Sequence, residues 1–157
     1  GWLVIAASIV AVASAALLLL PSAGKRFTVQ EVVLETGRIY REQLQQHDGW
    51  QSGLPVQATK LPRELRAQPV AWRSVQLLNA DAVAYDVRGP GGRQAVLLAA
   101  TCRTAGVPSS PPAVPQSSSG RSIAVWRPHG SDIVYVLVVE GTTRDYQSFI
   151  DLGPSLT

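Results

Sequence analysis

Residues 1–24 carry no charged side chain, and from Trp2 to Leu20 the run is apolar apart from Ser8 and Ser14. At about 1.5 Å per residue such a stretch makes a helix roughly 30 Å long, the thickness of a bilayer's hydrocarbon core. A chain of 157 residues has no core large enough to hide a helix that is apolar on every face. A cleaved signal peptide needs basic residues ahead of the run and small ones at its end. Here nothing basic precedes it, and Leu17, Leu18, Leu19 and Leu20 close it. The pattern therefore predicts a transmembrane helix, with Trp2 at one interface and Pro21 to Gly24 breaking the helix at the other. The helix opens at Gly1 and the sequence holds no Met, so further chain ahead of it is expected. Lys25 and Arg26 directly after it favour, by the positive-inside rule, a cytoplasmic C-terminal part.

All 14 Lys and Arg and all 11 Asp and Glu fall after residue 24, giving that part a net charge of +3. Its length, about 130 residues, suits one domain and is too short for two ordinary ones. The two expected units are thus the helix and exit at 1–24 and one domain at 25–157. The arginines are dispersed (Arg38, Arg63, Arg66, Arg88, Arg103, Arg144) instead of lining one stripe, which argues against a nucleic-acid partner. Cys102 is the only cysteine; it excludes an intrachain disulfide and a multi-cysteine zinc site. Its place after the apolar run Ala95 to Ala100 reads as a small buried hydrophobe.

Thr28 and Glu31 stand at capping-box spacing, with Phe27 and Val32 placed for a hydrophobic staple. Val29, Val32, Val33, Ile39, Tyr40 and Leu44 keep a helical period, so a helix is expected over 28–47, ended by Asp48 and Gly49. Segment 49–71 is broken by Gly53, Pro55, Pro62 and Pro69, with one helical turn expected at 62–67. Trp50 and Trp72 are expected to cover the edge of the core. Alternation then predicts strands through Val75 and Leu77, through Val83, Tyr85 and Val87, and from Gln94 to Thr101, with turns at Asn79 to Asp81 and Gly89 to Gly92. Residues 106–120 hold Pro108, Pro111, Pro112, Pro115 and Ser117 to Ser119 without a charge, and read as an exposed, extended loop. A second hairpin joins Ile123–Trp126 to Ile133–Val139, and Thr142 or Thr143 caps a final helix carrying Tyr146, Phe149 and Ile150. The expected fold is α+β: an antiparallel sheet of about five strands, helices at both ends of the domain packed on one face, and the membrane helix ahead of it.

The inventory for chemistry is thin. His47 sits at a helix end, where the dipole favours a cation, and His129 sits in a hairpin turn. Neither stands at triad spacing from an acid and a nucleophile. Gly89 to Gly92 leads into a strand, whereas phosphate loops lead into a helix. Asp81, Asp86 and Asp132 fall in turns or at strand edges with no partner for acid–base work. No catalytic, cofactor-binding or metal-ligating residue is therefore assigned, and no cofactor or small-molecule substrate is expected.

Ser122 to Trp126, Gly130 and the strand Ile133 to Val139 resemble the closing hairpin of the extracytoplasmic domain of membrane-anchored anti-sigma factors. Ala82 to Val87, the glycine turn and Ala95 to Ala99 resemble that family's paired strands, and helix 28–47 resembles its juxtamembrane helix. Trp126 and Tyr135 match as fold-defining positions. The resemblance implies a non-enzymatic, single-pass regulator of transcription in the bacterial inner membrane, with residues 25–157 outside the cytoplasm despite Lys25 and Arg26. It implies that the zinc-binding region gripping the sigma factor lies upstream of Gly1, and it carries over no catalytic residue. The alternative is an envelope structural or assembly protein, an interaction module working through a sheet edge or the 106–120 loop. On either reading the partners are the membrane, through residues 2–20, and another protein.

Overall fold

A computed structural model describes residues 25–55 and 60–153. The expected membrane helix at 2–20 and its exit at 21–24 lie outside the described residues. Among those described, no helix is long and apolar enough to cross a membrane.

The chain enters through β1 (Phe27–Thr28) into α1 (Val29–Ile39), and the capping box forms as the sequence predicts. The Thr28 hydroxyl accepts from the Glu31 N–H at 3.2 Å, and the Glu31 carboxylate accepts from the Thr28 N–H at 2.8 Å. The α-helix stops earlier than the expected 28–47: Tyr40–Leu44 winds as a wide π-turn, with the Gln45 N–H donating to the Tyr40 carbonyl at 3.1 Å. Beyond it come β2 (Gln51–Ser52), β3 (Gln68–Leu77), β4 (Ala80–Arg88), β5 (Gln94–Ala100), β6 (Thr104–Ala105), β7 (Gln116–Ser118), β8 (Arg121–Trp126), β9 (Val134–Glu140) and the short α2 (Thr143–Gln147).

The sheet has seven strands instead of about five, in the order β2-β3-β4-β5-β9-β8-β7 and antiparallel throughout; β1 and β6 form a separate parallel pair. The two added strands are β2 and β7, with two and three residues. Both are polar and too short to show an apolar alternation. β9 is interior as its composition demands, buried from Val134 to Val139 between β5 and β8.

The helices do not share one face. On the front of the sheet, Val32, Val33, Ile39 and Leu44 of the first helical segment meet Val75, Leu77, Ala84, Leu98, Val125 and Val136. On the back, Tyr146, Phe149 and Ile150 meet Tyr85, Leu97, Ala124, Trp126, Tyr135 and Leu137. Alternation along β4, β5, β8 and β9 supplies both sets, because each strand places apolar residues on both of its faces and so demands cover on both sides.

That demand explains two further corrections. Residues 62–67 form one hydrogen-bonded turn at their start, the Leu65 N–H donating to the Pro62 carbonyl at 3.2 Å, and no helix beyond it. Leu65 bridges to Ile150, the Arg66 N–H donates to the Phe149 carbonyl at 2.7 Å, and the Asp151 N–H donates to the Glu64 carbonyl at 2.7 Å. The turn and the chain after it cover the back face, and Pro62 and Ala67 are buried. Residues 106–120 are not a free loop either. Pro111 and Pro115 are buried, the Tyr146 hydroxyl donates to the Pro112 carbonyl at 2.8 Å, and Gln147 Nε2 donates to the Ala113 carbonyl at 3.0 Å. Proline rings supply apolar surface without offering N–H groups that burial would leave unpaired, so a proline-rich segment can line a core edge. Trp50 and Trp72 are half-buried against the front and back clusters, as expected.

Candidate functional site

The residues considered for chemistry stay apart. His47 is exposed where the π-turn unwinds, His129 is exposed in the β8–β9 turn, and Asp132 lies beyond it, also exposed. Cys102 is buried, and that burial pushes its thiol pKa up, away from nucleophilic chemistry. Among the described residues no group of three His, Cys, Asp or Glu side chains converges to hold a metal ion.

Two features that the sequence did not reveal are built by the topology. The first is a cavity of about 430 Å³ on the front face, between the end of the helical segment and β4–β5. Tyr40, Leu44, His47 and Trp50 form one wall and Asp86, Arg88, Gln94 and Val96 the other. Tyr40 is the best-anchored of these. Its hydroxyl donates to Glu140 Oε1 at 3.1 Å, Arg121 Nε donates to the same oxygen at 3.0 Å, and the Arg121 guanidinium lies 4.6 Å from the Tyr40 ring centre. Burial, then the charge of Glu140, pushes the Tyr40 pKa up to about 12, so the phenol stays protonated and keeps donating.

Beneath, Arg73 ties the turn after the helix to β3. Its Nη1 donates to the Gln43 carbonyl at 2.7 Å and the Asp48 carbonyl at 3.2 Å, and its guanidinium lies 5.8 Å from the Trp50 ring centre. Asp86 faces Arg88 at 3.5 Å, while its Oδ1 is buried without a hydrogen-bond partner among the described residues. An unsatisfied buried carboxylate oxygen costs free energy that a bound donor would recover.

The second feature is the outer edge of β3. Its partner on that side, β2, pairs only at Ala71 and Trp72. The β3–β4 turn fixes what lies beyond. Leu78 and Asn79 have φ of 52° and 63°, so a two-residue turn of the mirror-image type closes on the pair Leu77 and Ala80. That pair exchanges both hydrogen bonds, and with the alternation of an antiparallel ladder so do Val75 with Ala82 and Arg73 with Ala84. The backbone groups of Ser74 and Gln76 therefore point outward, and among the described residues they meet no backbone partner. Both side chains are exposed on the back face. There the edge borders a trough of about 350 Å³ lined by Ser74, Asp81, Val83, Ala99, Thr101 and Ile133.

In the sequence Asp81 and Asp86 read only as acids at turns or strand edges. The alternation of β4 puts them on opposite faces, but neither the helix over Asp86 nor the end of β2 pairing at Trp72 has a local signal.

No family model matches this chain, and neither the curated proteins nor the solved structures yield a match.

Proposed function

We propose that this chain is a non-enzymatic, membrane-tethered regulatory domain resembling the outer part of a transmembrane anti-sigma factor, held in the bacterial inner membrane by residues 2–20 with residues 25–157 outside the cytoplasm. The observation that carries this reading is the placement of α1. It starts at Val29, shortly after the apolar run, is locked at its first turn by the Thr28–Glu31 box, and lays Val32, Val33 and Ile39 across the front of the sheet. A displacement at the tether is thereby delivered to a packed core, which resists deformation and transmits strain. The grip on a sigma factor belongs, on this reading, to chain preceding Gly1.

The test has two arms. Protease added to cells whose outer membrane has been removed should reach the 25–157 domain, and a flexible four-residue Gly/Ser insertion between Gly24 and Lys25 should abolish regulation while leaving the domain folded. Cleavage only from the cytoplasmic side, or regulation unchanged by the insertion, would sink the proposal. The open β3 edge favours a second reading, an envelope assembly module. Crosslinking in membranes separates the two by the partner captured, a regulator's signal protein or a structural neighbour.

A further inference from the structure

An edge strand with unpaired backbone groups is a template for another strand, and proteins blunt such edges with lysine, proline, bulges or a covering segment. β3 carries those devices only toward its start, where Pro69 lies at a register shift and β2 covers Ala71 and Trp72. From Ser74 to Leu77 the strand is regular, holds neither Lys nor Pro, and pairs with β4 alone among the described residues, the chain entering β2 meeting β3 at Arg73. The chain leaving β2 runs antiparallel to β3, toward Gln68, and so away from this stretch.

We infer that Ser74–Leu77 is a docking edge for an extended segment of a partner protein, added to the sheet as a further strand. This rests on the non-enzymatic interaction reading above and names the surface and the partner's chemistry. Ser74 and Gln76 each offer one outward N–H and one outward C=O, enough to seat an extended peptide through backbone hydrogen bonds. Side chains on one side of such a peptide alternate with those on the other. Those facing the back meet the trough beside Ser74, where Val83, Ala99 and Ile133 offer an apolar side chain such as valine an apolar lining. Asp81 stands opposite Gln76 on β4, exposed, with the Gln76 amide at 3.4 Å as its only side-chain partner among the described residues. A basic residue two positions from the apolar one would complement it. The partner segment is thus extended, with an apolar and a basic residue at alternate positions.

The experiment uses the full chain in micelles and a capped seven-residue peptide in which threonines alternate with valine and lysine. Amide hydrogen exchange and backbone chemical shifts report on Ser74 and Gln76. Saturable binding should slow exchange at both amides about tenfold or more. N-methylation of the peptide's inward-facing amides should abolish binding. Gln76→Pro removes one outward N–H without removing a bond to β4, and should weaken binding about tenfold. Asp81→Lys, a surface change, should shift preference to a peptide with glutamate in place of lysine.

Equal binding of the methylated peptide, or of both variants, overturns the proposal. So does protection of Ser74 and Gln76 in the free protein that rises with protein concentration, since a second copy then occupies the edge. Failure of the tether test with intact peptide binding removes the regulatory reading and leaves the docking edge standing; the converse result leaves the tether and removes the edge.

Discussion

Replacing Gly89 with alanine probes the packing of the back face at one atom. Gly89 has φ of −90°, which alanine adopts freely, so the substitution carries no backbone strain. What it carries is a collision. A Cβ at this position would stand 2.6 Å from Cε1, 2.9 Å from Cδ1 and 3.1 Å from Cζ of Phe149. Neither partner has room to retreat. Phe149 is fully buried, and the Gly89 N–H donates to the Arg93 carbonyl at 2.8 Å while the Gly89 carbonyl accepts from the Gly92 N–H at 3.1 Å. Overpacking of this kind costs about 1–3 kcal/mol. With a urea slope of about 2 kcal/mol per M, a loss of about 2 kcal/mol lowers the unfolding midpoint by roughly 1 M with the slope unchanged. The informative version is a double-mutant cycle with Phe149→Leu, which alone costs of order 1 kcal/mol. Because the smaller side chain removes the clash, the double variant should be more stable than the sum of the two losses by about 1 kcal/mol or more. A G89A midpoint equal to that of the unaltered protein, or losses that simply add, would refute the packing account.

The Thr142–Asp145 cap should make stability fall at low pH. Hydrogen bonding from the Thr142 backbone N–H, then Arg93, lowers the Asp145 pKa from 3.8 to about 2. A depressed carboxylate pKa contributes stability that is fully present above the unfolded value and is lost as pH falls through the folded one. Asp145→Asn should therefore flatten thermal melting between about pH 4 and 2 relative to the unaltered chain. Tyr146→Phe removes the donor to the Pro112 carbonyl; it should cost about 1 kcal/mol and speed proteolytic cutting within 106–120, measured as the rate of fragment appearance. Cys102, 8% exposed, should react with a thiol reagent only as fast as the domain opens; prompt labelling under native conditions would contradict its burial. Thr28→Ala removes the capping-box acceptor at the start of α1 and should cost about 1 kcal/mol, read from the urea midpoint.

How much was legible depended on how locally each feature is determined. The Thr28–Glu31 cap, the β8–β9 hairpin and the glycine turn at Gly89 are short-range patterns, and all three stand where the sequence put them. The final helix was legible at its Thr142 cap, yet it ends at Gln147, so Phe149 and Ile150 reach the core from the chain that follows. Segments 62–67 and 106–120 misled because composition reports what a stretch can do alone. Pro62, Pro111 and Pro115 are buried only because a two-sided sheet needs cover. The Asp86 cavity and the β3 edge were invisible for the same reason, each being defined by elements far apart in the chain.

The uncharged apolar run at 1–24, the α+β class, the capped helix after the run and the strand periodicity of the domain can all be read along the chain, because each follows from residues a few positions apart. The placement of the two helices on opposite faces and the use of the proline-rich segment as cover come from the packing of the folded sheet. The same packing leaves the outward backbone groups of Ser74 and Gln76 without a backbone partner among the described residues, beyond the reach of the two-residue β2. Which face is covered, and where pairing stops, are set by the competition of distant segments for the same buried surface, and no local pattern records its outcome.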